Sequence, residues 1–194
     1  MKKLASLSFV IAATVAALFS MQSVSTSQGK AAHYEIDGAH SAAVFRIKHL
    51  GISYTYGRFD DISGTVDFGG SNAVSITIKA NSVNTGNAQR DGHLKSPDFF
   101  SAKEFPTITF KSTSWESAGG DSYDITGDLT LHGVTKSVTA KVEKTGEGER
   151  GKHGYRIGFH TEFDIKRSDF GMTKLGSAVG DDVHLVLSVE GMRK

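Results

Sequence analysis

Apolar and polar residues alternate along most of this chain, in eight successive segments with no amphipathic helix of similar length between them. In segment 41–50, Ala43, Phe45 and Ile47 oppose Arg46 and Lys48. In 59–68, Ile62, Gly64, Val66 and Phe68 oppose Asp61, Ser63, Thr65 and Asp67. The same pattern recurs over 74–79, 107–115, 123–131, 137–143, 155–165 and 183–190. Successive side chains of a strand point to opposite faces, so each segment has one apolar face and one wet face. Strands chained in this way close into a barrel. The pattern therefore predicts an all-β, eight-stranded antiparallel barrel. Its apolar interior is either a packed core or a container.

Most connections are short and carry turn residues, as in Gly69-Gly70-Ser71-Asn72 and Gly119-Gly120-Asp121, which implies antiparallel neighbours. One exception is the long connection 84–106 after the third strand, where a short helix is expected over 89–95. It holds Arg90, Asp91, His93, Phe99, Phe100 and Phe105, and a long connection with buried aromatics reads as a lid or plug. A second irregular stretch, 167–182, contains Gly171, Gly176 and Gly180. Gly64, Gly127 and Gly158 fall inside strand patterns and suggest bulges, bends or a close neighbour.

Alternation alone does not say which face is inside, and an outer-membrane barrel shows the same pattern inverted. Several segments are shorter than the ~9–11 residues a membrane strand needs. Five Tyr and one Trp are too few for two aromatic girdles. A barrel with a dry interior is the expectation.

The first residues do not fit the pattern. Met1-Lys2-Lys3 is a positive start, Leu4 to Phe19 is apolar without charge, and Ser20 to Ser27 is small and polar. This reads as a secretory signal peptide over 1–25, cut near Ser25, ahead of a barrel domain over 33–192. Removing Lys2 and Lys3 moves the formal charge from +1 to −1. A near-neutral chain without a basic block argues against nucleic-acid binding. With no Cys there are neither disulfides nor an acyl anchor, so the core must supply stability. The expected location is the periplasm.

Catalytic and metal chemistry find little support. The eight His residues show neither His-x-His nor His-x-x-x-His spacing. There is no Gly-x-Ser-x-Gly elbow, and His40-Ser41 would face opposite ways on a strand. The adjacent pairs Asp60-Asp61 and Asp181-Asp182 suit turn chemistry. The expectation is a non-enzyme without metal or cofactor. Pattern-breaking Arg58, Arg90, His93 and Arg167 either pin loops to the barrel rim or reach a ligand's polar head.

Several runs carry a resemblance. They are His40-Ser41-Ala42-Ala43-Val44-Phe45-Arg46-Ile47-Lys48-His49-Leu50-Gly51, Gly57-Arg58-Phe59, and Arg90-Asp91-Gly92-His93-Leu94-Lys95-Ser96-Pro97-Asp98-Phe99-Phe100. Ser82-Val83-Asn84-Thr85, Phe105-Pro106-Thr107-Ile108-Thr109-Phe110, Gly127-Asp128-Leu129-Thr130-Leu131-His132-Gly133-Val134-Thr135 and Arg167-Ser168-Asp169-Phe170-Gly171 complete the set. Together they resemble the YceI-like family across residues 34–190. The resemblance implies a lipocalin-like barrel, exported to the periplasm, that carries a polyisoprenoid lipid such as a prenylated quinone or a prenyl phosphate. It transfers no catalytic residue.

On that reading Phe45, Ile47, Ile62, Val66, Phe110, Ile125, Leu129, Ile157, Phe159, Leu185 and Leu187 line the interior. Phe99, Phe100 and Phe105 shape the lid, and Arg58, Arg90, His93 and Arg167 lie near the head group. A membrane protein would exchange the lipid, with the carrier a monomer or a homodimer. Two other classes stay open: a stress-response or partner-binding module with a filled barrel, and an enzyme with a hydrophobic active site.

Overall fold

A computed structural model describes residues 31–194, so the expected signal peptide lies outside the described residues. The strands are β1 (Ala32–Ile36), β2 (Ala42–His49), β3 (Ser53–Phe59), β4 (Ile62–Phe68), β5 (Ala73–Lys79), β6 (Val83–Asn84), β7 (Thr107–Gly119), β8 (Ser122–Leu131), β9 (Val134–Glu149), β10 (Tyr155–Lys166) and β11 (Val179–Arg193). One helix, α1 (Ala88–Leu94), lies in the long connection, one residue from its expected position. No described helix is long and apolar enough to cross a membrane.

Eight strands form a closed antiparallel circuit in the order β1-β4-β5-β7-β8-β9-β10-β11, and β1 pairs back onto β11. The ends of β11 have different partners. Its C-terminal residues pair with β1 through Ile36 and Gly191, whereas its N-terminal half pairs with β2 through Phe45 and Leu185. Beyond β2 come β3 and then the two-residue β6. The barrel is therefore continuous at one end. At the other it is flanked by β2, β3 and β6, with α1 following β6.

The wet faces point outward. Asp124 and Asp128 on β8 and Lys141 and Glu143 on β9 are exposed, while Ile125, Leu129, Ala140 and Val142 between them are buried. A membrane barrel would show the reverse. The buried residues form two clusters. One, at the α1 end, includes Phe59, Ile62, Leu131 and Met172; the other includes Tyr34, Val66, Ile125 and Ile157.

Gly127 illustrates why a strand interior gives up a side chain. A Cβ there would collide with the Phe110 ring and the Lys111 carbonyl. The ring occupies the space that a side chain on the neighbouring strand would fill, which lets a large side chain fit the curved inner face. Phe45 covers Gly57 in the same way.

The bend between β1 and β2 is pinned by charge. Arg156 on β10 donates to Asp37 at 2.8 Å and to Glu190 at 3.1 Å, and His40 meets Asp37 at 2.9 Å. The hydrogen bond with His40, then that from Arg156, lowers the Asp37 pKa to about 2. The folded value lies below the unfolded one of ~3.9. Its stabilisation is therefore present above that value and is lost as the pH falls toward about 2. His40, raised by the same pair, acts oppositely: its contribution exists below its ordinary pKa and disappears as the pH rises through the raised one. Asp37→Asn should flatten the acid limb of stability against pH by roughly 1–2 kcal/mol. Urea titrations from about pH 5 to pH 2 measure this, and an unchanged slope refutes it.

Candidate functional site

The inner faces of the strands leave a lumen of about 220 Å³ with an almost wholly apolar lining. That exceeds the ~150 Å³ of an apolar cavity that admits benzene. It falls short of the ~300–1,000 Å³ of sites for drug-sized ligands. The empty space accommodates on the order of ten carbons by that comparison.

Its floor is aromatic. Trp115 and Phe159 face the lumen with rings 5.8 Å apart, edge to face, and Phe68 backs both at 6.0 and 5.7 Å. Tyr123 closes the cluster, 5.8 Å from Trp115. A bulge after Ser112 turns Trp115 inward, which a strict alternation from Phe110 would not do. Among the described residues, the Trp115 indole Nε1–H is the one buried side-chain donor without an acceptor.

The opposite end is roofed by Leu94, Phe99, Phe100 and Met172. Local bonds hold this roof. The Asn87 side chain caps α1 by accepting from the Arg90 amide at 3.0 Å. Asp91 accepts from the Thr85 amide and hydroxyl at 2.8 and 2.6 Å, and the hydroxyl bond in particular lowers its pKa. Phe100 packs edge-on to Phe59 at 5.4 Å, which ties the roof to β3.

Eleven of the expected lipid contacts lie on the lumen wall: Phe45, Ile47, Val66, Phe99, Phe100, Phe110, Ile125, Leu129, Phe159, Leu185 and Leu187. Three do not. Ile62 opens β4 and sits in the packed cluster with Ala80 and Val83. Ile157 lies among Tyr34, Ile36 and Val189, close over Gly191. Phe105 covers Gly133 and meets the His132 ring edge-on at 5.0 Å, so it clamps the long connection to the β8–β9 turn.

The four expected head-group residues are not brought together. Arg58 pairs with Asp60 at 2.6 Å, and Arg90 donates to the Thr85 hydroxyl and carbonyl at 2.8 and 2.9 Å. His93 bonds Asp98 at 3.1 Å and packs against Phe99. Only Arg167 touches the lumen, and it is 4% exposed. Its guanidinium donates to the carbonyls of Gly180 and Val179 at 2.8 and 3.0 Å, and to that of Met172. All four therefore fasten loops.

The wall also includes residues not expected from the sequence. Ile76, Ile78, Ile108, Phe163, Ile165 and Val183 belong to apolar faces already visible there. Leu94 ends the two-turn helix α1 and Met172 comes from the irregular β10–β11 connection, neither of which offers a period long enough to report its facing. The one inward polar side chain on mid-β10, Thr161, donates to the Lys141 carbonyl at 2.8 Å and is satisfied. Among the described residues, only Asp37, His40 and Glu190 cluster closely enough to resemble a metal site. The Arg156 guanidinium already bridges both carboxylates there.

A closed eight-stranded barrel with an apolar lumen and a helical strap over one end defines a lipocalin-like container. A family model described as "YceI-like domain" matches residues 34–191. A UPF0312 protein of Pseudomonas aeruginosa is 47% identical over 173 residues, 86% of this chain and 90% of its own length. The YceI protein of Campylobacter jejuni superposes with a TM-score of 0.67 at 37% identity, covering 76% of this chain and 89% of that one. A polyisoprenoid binding domain from Saccharophagus degradans shares the fold at 20% identity, with a TM-score of 0.68 over 85% of this chain and 100% of that one. The chain belongs to the YceI-like family.

Proposed function

We propose that this protein is a periplasmic carrier or scavenger of a polyisoprenoid lipid, holding part of the prenyl tail in the barrel lumen. The observation that carries the reading is the lumen, which is hollow, apolar and floored by aromatic rings. The Saccharophagus domain shares only the fold, so the reading rests on the lumen itself. A filled barrel, as a partner-binding module would have, leaves no such space. Among the described residues, the titratable side chains on the wall are already engaged, His160 with Glu162 and Arg167 with three backbone carbonyls, which favours binding over catalysis. Export rests on the leader read in residues 1–25.

Burying a five-carbon unit contributes roughly 4 kcal/mol at about 0.8 per CH₂-sized group. Two units fill the empty lumen and give a gross gain of about 8 kcal/mol before ordering costs. A longer tail must displace the roof or leave it. Affinity from water should therefore climb steeply from one to about two or three isoprene units and then flatten.

Trp115 supplies the readout, being the sole tryptophan of the chain and part of the lumen floor. Titration with isopentenol, geraniol, farnesol and geranylgeraniol should change its emission saturably, with that chain-length profile. Emission indifferent to all four alcohols, with no binding by calorimetry, would reject the carrier. The partner-binding reading predicts that result.

A further inference from the structure

The β2–β3 turn holds Leu50 and Ile52 in solvent, 56% and 86% exposed. Leu175, 43% exposed, rises from the neighbouring β10–β11 connection. The two are tied together, since the Leu50 amide donates to the Ala178 carbonyl at 2.7 Å. Leu50 and Leu175 also sit at positive φ, 52° and 57°. The left-handed region disfavours a bulky side chain, and glycine would occupy it freely. At both positions the chain combines backbone strain with exposed apolar surface, and such outliers point to function.

The outer face of the same hairpin carries Tyr54 and Tyr56, both exposed, beside Arg46 and Lys48. The Arg46 guanidinium lies 4.6 Å from the centre of the Tyr54 ring, and the Lys48 ammonium 5.9 Å. Neither cation has a carboxylate partner among the described residues. Lys174, next to Leu175, makes only a long 3.7 Å contact with Asp98. Of the nearby acids, Asp182 is held by Lys166 at 2.6 Å and Asp181 by the Ser168 hydroxyl at 2.8 Å. An aliphatic tip backed by tyrosines and cations at one level, Tyr54 opposite Lys48 and Tyr56 opposite Arg46, matches the passage from acyl boundary to head groups of an anionic bilayer.

We propose that this foot docks the protein on an anionic lipid membrane. Leu50, Ile52 and Leu175 enter the acyl boundary, Tyr54 and Tyr56 lie at head-group depth, and Arg46, Lys48 and Lys174 meet lipid phosphates. The foot adjoins the lumen roof: Ile47, three residues before Leu50, is wall, as are Met172 and Val179 on the other side. Docking there places the roofed end of the container against the bilayer. The proposal concerns the outer surface and goes beyond lipid carriage, so its test requires no cargo.

Flotation with vesicles of phosphatidylethanolamine and phosphatidylglycerol should recover the protein. Vesicles of phosphatidylcholine alone should recover far less, and added salt should release it. Ile52→Ser should weaken binding about tenfold through lost apolar insertion, and Lys48→Glu by at least as much. Both sites are exposed, so melting and farnesol binding should match the parent protein, which separates loss of docking from loss of carriage. Absence of flotation with the anionic vesicles overturns the proposal, as does flotation that neither variant weakens. It also fails if the parent protein self-associates in solution through Ile52 and ignores vesicles, because the foot would then be an interface between two copies.

Discussion

Leu129→Lys should give a folded protein that no longer retains a prenyl chain. Leu129 lies on the lumen wall, opposite Phe110 across the β7–β8 ladder. In the empty lumen a lysine's flexible stem lets its ammonium seek water. Once hydrocarbon fills the space, that ammonium must lose its hydration or its proton, at a cost of several kcal/mol. Affinity for farnesol should fall at least about a hundredfold, which corresponds to roughly 2.7 kcal/mol. Leu129→Ala separates a wall from a core. A truncation in a close-packed core costs about 2–5 kcal/mol because a cavity is left behind. A residue that already borders empty space loses fewer contacts, so the expected cost is under roughly 2 kcal/mol. If Leu129→Ala costs a full core penalty and Leu129→Lys fails to fold, the lumen is solid and the container reading ends.

The barrel was legible where side chains obey a period of two. The eight alternating segments correspond to β2, β4, β5 and β7 to β11, and the helix after β5 sits where expected. What escaped has physical causes. Strand β3 points Thr55, Gly57 and Phe59 inward and Tyr54 and Tyr56 outward, so its apolar pattern is inverted. Its inner face works because the Phe45 ring of β2 supplies the bulk that Gly57 lacks. Strand β1 spans five residues and β6 two, too few for a periodic signal. The circuit also closes through β1, so β2 flanks the ring although its pattern is among the clearest.

The site divides along the same line. Wall residues were readable because inward and apolar coincide on a strand. Ile62 and Ile157 share that property yet fill packed ends, since alternation reports a side chain's face and not its depth along the barrel axis. The cationic residues were unreadable for another reason. A guanidinium in a loop serves a carbonyl or a carboxylate as readily as a ligand, and only coordinates show which partner is near. A prenyl tail leaving a membrane is already dry, so hydrophobic gain nearly cancels between bilayer and lumen. Preference among lipids must then come from shape and from the Trp115–Phe159 floor.

Arg167→Leu should be the most destabilising of the substitutions considered. The guanidinium draws Met172, Val179 and Gly180 together, so it cross-links the two ends of the β10–β11 connection. No carboxylate lies within ion-pair distance of it among the described residues, and the three carbonyls are its hydrogen-bond partners. Leucine replaces the stem and abandons all three acceptors. Each buried orphan costs about 1–3 kcal/mol, so a total near 4 kcal/mol is expected. For a domain of this size that lowers the melting temperature by roughly 10 °C. Arg167→Lys should recover little, since a single ammonium cannot match a planar fork aimed at three oxygens. A head-group role predicts something else: farnesyl phosphate would bind more tightly than farnesol, and Arg167→Leu would erase that preference. Measured well below the melting temperature, the ratio of the two affinities should instead stay the same in the variant. A variant that melts like the parent but loses a phosphate preference would move Arg167 from the frame of the barrel to its ligand.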